Sequence, residues 1–336
     1  MTRSVRAIAL SVVSIVGLAS ISGCAAAHAV LGIHEAPKAN AASVPLTAEQ
    51  AKDILSRAFT AAQQSVTTTG EVALAAQKTA YTGDGLRAVT ARVQLASVQP
   101  TTAGSPVLDP QRPLLLAVSR GFGFPRVIVA QTVSSQGSLP ILHLLTSPDA
   151  ATPYRISASV TMLLGTTVKS FDTLGQGSPS VITGTGLVVA PTALLNAYAE
   201  GLAFPAKEVA NPPFATDSFA TKVRAGAAGV AAAVAVQATF SQTHRVVPNS
   251  VYAVRQASGD ALVFGTIERT DSFAVKSGES VNTAANKAFA LLSGKESITK
   301  EAAITTLEVV VFAVPRSTGQ ATLVAASEQV VAGSGS

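Results

Sequence analysis

Five groups of residues in this sequence have the chemistry to act as nucleophile, base, ligand or anion receptor. The single cysteine, Cys24, closes the run LASISGC (18–24) and could serve as a thiolate or accept a covalent group. Four histidines, His28, His34, His143 and His244, could ligate metal or move protons. Between Lys276 and Lys300 stand Lys276-Ser277-Gly278, Ser280-Val281-Asn282 and Ser297-Ile298-Thr299-Lys300, where a lysine amine could activate a serine hydroxyl. Gly121-Phe122-Gly123-Phe124, Gly184-Thr185-Gly186 and Gly294-Lys295 could wrap backbone amides around phosphate. Arg120 and Arg126 flank the first of these turns, and Tyr154-Arg155 open a later strand; together they could line a pocket mouth that meets an anion.

Most of these groups fail on spacing. The serine and lysine elements resemble the K-[ST]-G, S-x-N and S-x-x-K motifs of serine penicillin-binding proteins and β-lactamases. Those families place S-x-x-K first, on a long helix, with the others far downstream. Here the order is reversed and all three crowd together, so they read as solvated turns. Phe289 stands where a P-loop needs its first glycine, and Glu296 replaces the hydroxyl residue. The Gly121–Phe124 turn lacks the third glycine of a dinucleotide fingerprint and reads as a hairpin turn pinned by phenylalanine. His28 and His34 lie six apart with no further ligand nearby. His143 alternates within an apolar strand, as a satisfied or edge histidine does, and His244 is expected near an exposed strand end. No G-x-S-x-G elbow occurs, and Asp149, Asp172, Asp217, Asp260 and Asp271 stand apart, where turns and helix starts use carboxylates as caps. The expectation is a chain with no catalytic residue, no metal and no cofactor.

Cys24 has a better reading. Arg3 and Arg6 precede the uncharged apolar run Ala7–Ile21, and two small residues lead to the cysteine. A basic start, an apolar stretch of this length and a small-residue exit describe a secretory signal peptide, and the run is short for a membrane span. Ile21-Ser22-Gly23-Cys24 resembles the bacterial lipobox. That resemblance implies cleavage before Cys24, lipidation of its thiol, and a location on the extracytoplasmic face of the cell membrane. The chain then divides into a signal peptide (1–23), a lipid-anchored Ala/Pro-rich tether (24–45), an ordered body and a flexible tail (332–336). With the only thiol acylated, no cysteine remains for disulfides or catalysis.

Composition narrows the partners. Hydrophobic residues make 48% of the chain but aromatics only 5%, with no tryptophan, so few flat rings are on offer for stacking on sugars or bases. Removing Arg3 and Arg6 from 24 basic residues leaves 22 against 19 acidic ones, a mature charge of only +3 with no dense basic cluster. Nucleic acid is therefore not an expected partner.

The body shows two helix-then-strand blocks. TAEQAKDILSRAFTAAQQS from Thr47 places Ala51, Ile54, Leu55, Ala58, Phe59 and Ala62 at helical spacing behind a Thr47/Gln50 capping box. TALLNAYAEGLAF from Thr192 repeats the pattern with Leu195, Tyr198, Ala199, Leu202 and Ala203. Second helices are expected over 85–97 and 214–228, and an extra helix within 281–297. AVSRGFGFPRVIV from Ala117 matches AVRQASGDALVFG from Ala253, and ILHLLTSPDAATPYRISASVTML from Ile141 matches VVVFAVPRSTGQATLVAASEQVV from Val309, each as an antiparallel hairpin. A Gly/Ser/Pro-rich stretch, 170–186, reads as the linker between a first unit (46–175) and a second (176–331). The fold class is α+β. The element order resembles the NTF2-like (cystatin-related) fold, which implies a helix across a curved antiparallel sheet in each unit. As a whole the chain resembles the secreted lipoproteins common in actinobacteria.

These readings imply a cell-envelope lipoprotein with a non-catalytic binding role toward a partner protein, a wall component or a small apolar ligand. The alternatives are an envelope assembly factor, or an enzyme whose pocket forms only in three dimensions.

Overall fold

The computed structural model describes residues 43–98, 113–133 and 139–336. From Ala41 onward the chain forms one compact unit of mixed α and β structure with antiparallel sheets. Cys24, His28 and His34 lie outside the described residues.

Helix α1 (Ala48–Thr67) starts where its capping box predicts: the Thr47 hydroxyl accepts from the Gln50 amide at 3.2 Å, and the Gln50 side chain accepts from the Thr47 amide at 2.9 Å. Helices α2 (Gly70–Ala80) and α3 (Gly83–Leu95) follow. The segment that forms α2 is mostly alanine on its inner face, with too little contrast in side-chain size to announce a helix. Strands β1 (Leu114–Val118), β2 (Arg126–Val133), β3 (Pro140–Ser147) and β4 (Arg155–Thr161) make a four-stranded meander in that order.

The second half has α4 (Pro191–Gly201), α5 (Ser218–Val234), β5 (Ala238–Val246), β6 (Tyr252–Arg255), β7 (Ala261–Val275), the short β8 (Val281–Asn282), α6 (Lys287–Ser293), the short β9 (Ser297–Ile298), β10 (Glu301–Val314) and β11 (Thr322–Gly335). Asp217 sets the start of α5 by accepting from the Ala220 amide at 2.7 Å, later than the expected residue 214. The second sheet runs β11-β10-β7-β5, with β6 pairing the beginning of β7. The hairpin pairs β1–β2 and β3–β4 of the first sheet therefore have counterparts, in the same order, in β6–β7 and β10–β11.

Three cores follow from the strand alternation. Ile128, Ala130, Leu145 and Ile156 face Leu55, Phe59 and Ala62 of α1. Val263, Ile267, Val310 and Phe312 face Leu195, Tyr198 and Phe219 of α4 and α5. The opposite faces of the two sheets, with Val127, Val129, Leu142 and Leu144 against Leu262, Phe264, Val311 and Val324, share a middle core. Strands buried on both faces read as unbroken apolar runs, as VVVFAV does. Each fully buried side chain such as Phe59, Phe264 or Phe312 contributes about 1.5–3 kcal/mol relative to exposure. Gly265 admits Leu195 so closely that a Cβ there would collide with it.

Three expectations need correcting. Residues 170–186 do not behave as a loose linker. The amide of Ser178 donates to Val118 at 2.8 Å, Arg120 donates to Ser178 at 2.8 Å, Arg255 donates to Pro179 at 2.8 Å and Val181 donates to Ala253 at 2.9 Å. The segment satisfies backbone groups of the edge strands β1 and β6, one in each sheet, which fixes it in place. The tail is the end of β11: Ala302 pairs with Gly335, and the Ser336 carbonyl accepts from Thr299 and Lys300. Its small residues are there because Phe289 and Leu292 of α6 press on Gly333, and a Cβ on Gly335 would run into Ile298. Residues 43–45, expected within the tether, belong to the body, since the Ser43 carbonyl accepts from the Gly121 amide at 2.8 Å.

Candidate ligand-binding cleft

At one end of the first sheet, three arginines from three different elements line a single cleft of about 600 Å³. Arg57 comes from the outer side of α1, Arg126 opens β2 and Arg155 opens β4. Both strands pair with β3 at its last residues, Arg126 opposite Ser147 and Arg155 opposite Thr146, so the register puts both arginines at the same end of the sheet. Arg126 lies over the Phe124 ring, 4.2 Å from its centroid, and donates to the Phe122 carbonyl at 3.0 Å. Phe122 and Phe124 are thus half-exposed shelves for Arg126 rather than pins driven into the core.

Among the described residues, no carboxylate lies within ion-pair distance of Arg57, Arg126 or Arg155. The one acid in the cleft wall, Asp149, is spent on its own turn: it accepts from the amides of Ala151 (2.9 Å) and Thr152 (2.8 Å) and from the Thr152 hydroxyl (3.0 Å). The Thr152 hydroxyl bond, seconded by the two amides, holds this carboxyl below its ordinary range. The Nε atoms of Arg126 and Arg155 and the Tyr154 hydroxyl are shielded from solvent and meet no acceptor in the protein. A shielded donor without an acceptor costs about 1–3 kcal/mol. Burial pushes the Tyr154 phenol up to about 12, against the pull of Arg126, so at neutral pH it is an O–H donor. Arg120, expected beside these residues, turns away. It pairs with Asp172 at 2.8 Å and donates to the carbonyls of Gln176 and Gly177, holding the 170–186 segment.

The second sheet carries the opposite arrangement. Under α5, Glu308 and His244 have fully buried side chains and meet at 3.1 Å, which corrects the expectation of an exposed His244. Gln242 donates its amide to Asp271 at 2.7 Å, which turns its oxygen toward the other ring nitrogen of His244 at 3.0 Å. Both ring nitrogens therefore face oxygen. Arg269 reaches Glu308 and Glu328 at 3.0 Å each and Asp271 at 3.4 Å, and Lys222 of α5 closes the set on Glu328 at 2.9 Å. Burial works against the Arg269 charge, but Glu308, Asp271 and Glu328 outweigh it and hold its pKa up. A cleft of about 470 Å³ between α4 and β5 touches His244 and Gln242, but each is already committed to protein partners.

The remaining candidates are structural. His143 is buried between the Thr132 and Ser159 hydroxyls, at 2.8 and 2.9 Å, against the Phe59 ring, and burial pushes its pKa down to about 3. The β8–β9 ladder pairs Asn282 with Ser297, so two pieces of the serine–lysine set do meet, on a short two-stranded ladder. Lys276 donates to the Ala235 carbonyl at 2.6 Å. Gly294 caps α6 in a left-handed turn, and the carbonyls of Thr185 and Gly186 accept from Arg255. Asp217 and Asp260 cap amides as expected, whereas Asp271 sits in the middle of β7. Among the described residues no cluster of three or more His, Cys, Asp or Glu is arranged to hold a metal, and no helix is long and apolar enough to cross a membrane. Sequence reasoning missed Arg57, which carries no signal beyond an exposed helix position. It also missed Glu308, whose signal was a lone carboxylate inside LEVVVFAV.

A family model described as "Domain of unknown function (DUF8094)" matches residues 123–335, more than half of the chain, and the chain belongs to that family. The match begins at the turn before β2 and ends with β11, so it includes Arg126, Tyr154 and Arg155 and leaves out Arg57. No curated protein and no solved structure gives a match.

Proposed function

We propose that this member of the DUF8094 family is a cell-envelope lipoprotein, anchored on the extracytoplasmic face through a lipid on Cys24, that binds a ligand without transforming it. The observation that carries the binding role is the arginine cleft: three arginines line it without ion-pair partners, while Arg269 and the carboxylates around it under α5 are paired with one another. A site that leaves cations unmatched is suited to receiving an anion. A catalytic site would need a base free to move a proton, and His143 and His244 are both engaged on each ring nitrogen. The duplicated order of helices and hairpins supports a reading as two NTF2-like units joined back to back through their sheets.

Two measurements test this. Intact mass of the membrane-extracted protein is expected to begin at residue 24 with a diacylglyceryl group, and Cys24→Ala is expected to abolish both the modification and membrane retention. Thermal unfolding in envelope extract is expected to shift upward for the wild type and not for the triple variant Arg57→Gln/Arg126→Gln/Arg155→Gln. An unlipidated product cut elsewhere removes the anchor, and an equal shift in both proteins removes the cleft as the ligand site.

A further inference from the structure

We infer that the arginine cleft takes a phosphate monoester dianion joined to an apolar chain; this rests on the reading of the cleft as the ligand site. The charge balance selects the head group. Three arginines share the cleft wall with one carboxylate, Asp149, whose hydrogen-bond partners are all neutral so that its charge still counts, and the wall carries a net two positive charges. A dianion matches them, whereas a monoanion leaves one unopposed. Guanidinium forks fit the paired oxygens of a phosphate, and Arg126 is already held flat against Phe124, so little freedom is lost when it binds. The Tyr154 hydroxyl adds a neutral donor in the same wall.

The rest of the wall selects the tail. Leu46 just before α1, Ile54 and Ala58 on it, and Pro153 from the β3–β4 turn give the cleft apolar lining beside the cationic residues. A free inorganic anion would leave that lining wet, while a chain lying along α1 removes it from water. The volume of about 600 Å³ suits a head group with a short chain. The same chemistry belongs to a soluble alkyl phosphate and to a phosphatidate head group in the membrane beneath the protein.

The test uses the full chain carrying Cys24→Ala, so that no attached lipid competes. Calorimetric titration with octyl phosphate is expected to show binding at least tenfold tighter than either inorganic phosphate or octanol. Arg126→Gln or Arg155→Gln is expected to weaken octyl phosphate at least tenfold, and Lys207→Gln, in the other half, to leave it unchanged. Should the glutamine variants fold poorly by circular dichroism, Arg126→Lys and Arg155→Lys keep the charge without the fork and are expected to weaken binding several-fold. Flotation with phosphatidylcholine vesicles, with and without phosphatidic acid, separates the sources. Arginine-dependent flotation with phosphatidic acid assigns a membrane head group; octyl phosphate binding without flotation assigns a soluble ester. Octanol binding as tightly as octyl phosphate, or arginine variants that bind like wild type, overturns the inference. If octyl phosphate fails to bind but envelope extract still stabilises wild type and not the triple variant, the phosphate ester is wrong and the cleft stands. If extract also does nothing, both fall.

Discussion

The two sheets handle polar groups in opposite ways. The first buries a neutral histidine, His143, among hydroxyls and leaves its arginines at the sheet end without acidic partners. The second buries charge, but beside partners: Arg269 against Glu308, Asp271 and Glu328, with His244 on Glu308 and the exposed Lys222 reaching in to Glu328. A buried ion must be neutralised where it sits, because the desolvation cost is several kcal/mol per charge. Charges at a solvent-facing mouth carry no such obligation and are free to meet something else. The difference separates the part of the molecule that holds itself together from the part available to a ligand.

Acid titration should probe the first sheet most strongly. The unfolded chain takes up the His143 proton near pH 6.5, while the folded site resists until about pH 3. Stability from this group is therefore full above pH 6.5 and falls as the pH drops toward 3, by a total on the order of 4 kcal/mol. Urea unfolding across this window should show that decline, and His143→Gln should flatten it; an unchanged slope would break the picture of a neutral buried ring. In the second sheet, Glu308→Ala removes the fully buried carboxylate that Arg269 and His244 share, leaving Arg269 only Glu328 and Asp271, and should cost about 3 kcal/mol by the same assay. A cost below about 1 kcal/mol would mean that the network is not paired as described. Gly335→Val tests whether the chain end belongs to the second sheet: overpacking against Ile298 should cost about 1–3 kcal/mol, where a free tail would show none. The smallest effect sharpens the contrast most. Arg57→Gln should change stability by no more than about 0.5 kcal/mol, since its exposed guanidinium holds no carboxylate. A loss comparable to that of Glu308→Ala would make the cleft structural.

Much of the fold was legible because its signals are local. The capping box at Thr47, the apolar stripe of α1, the helix near Phe289 and the four hairpins all depend on neighbours a few residues apart, where side-chain period and turn chemistry act directly. The α2 helix was not, because alanine on its buried face gives almost no amphipathic contrast. Segment 170–186 and the residues before Ser336 looked loose for a related reason. Gly, Ser and Pro mark turns and linkers, yet here small residues are required by edge-strand pairing and by α6 pressing on β11, contacts made with distant parts of the chain.

For the candidate site, Arg120 and Arg126 stood out equally by flanking the Gly121–Phe124 turn, and Tyr154 and Arg155 by opening a strand. Only the packing distinguished them, by delivering Asp172 to Arg120 and none to the others. Arg57 joined them from a helix about 70 residues before Arg126, and His244 met Glu308 across 64 residues. The sequence by itself determined the hairpins, the α+β class and the helices other than α2, since hydrophobic period and capping are short-range. The tertiary structure decided which charges are spent and which remain available, since ion pairing reads distance in space and is blind to separation along the chain.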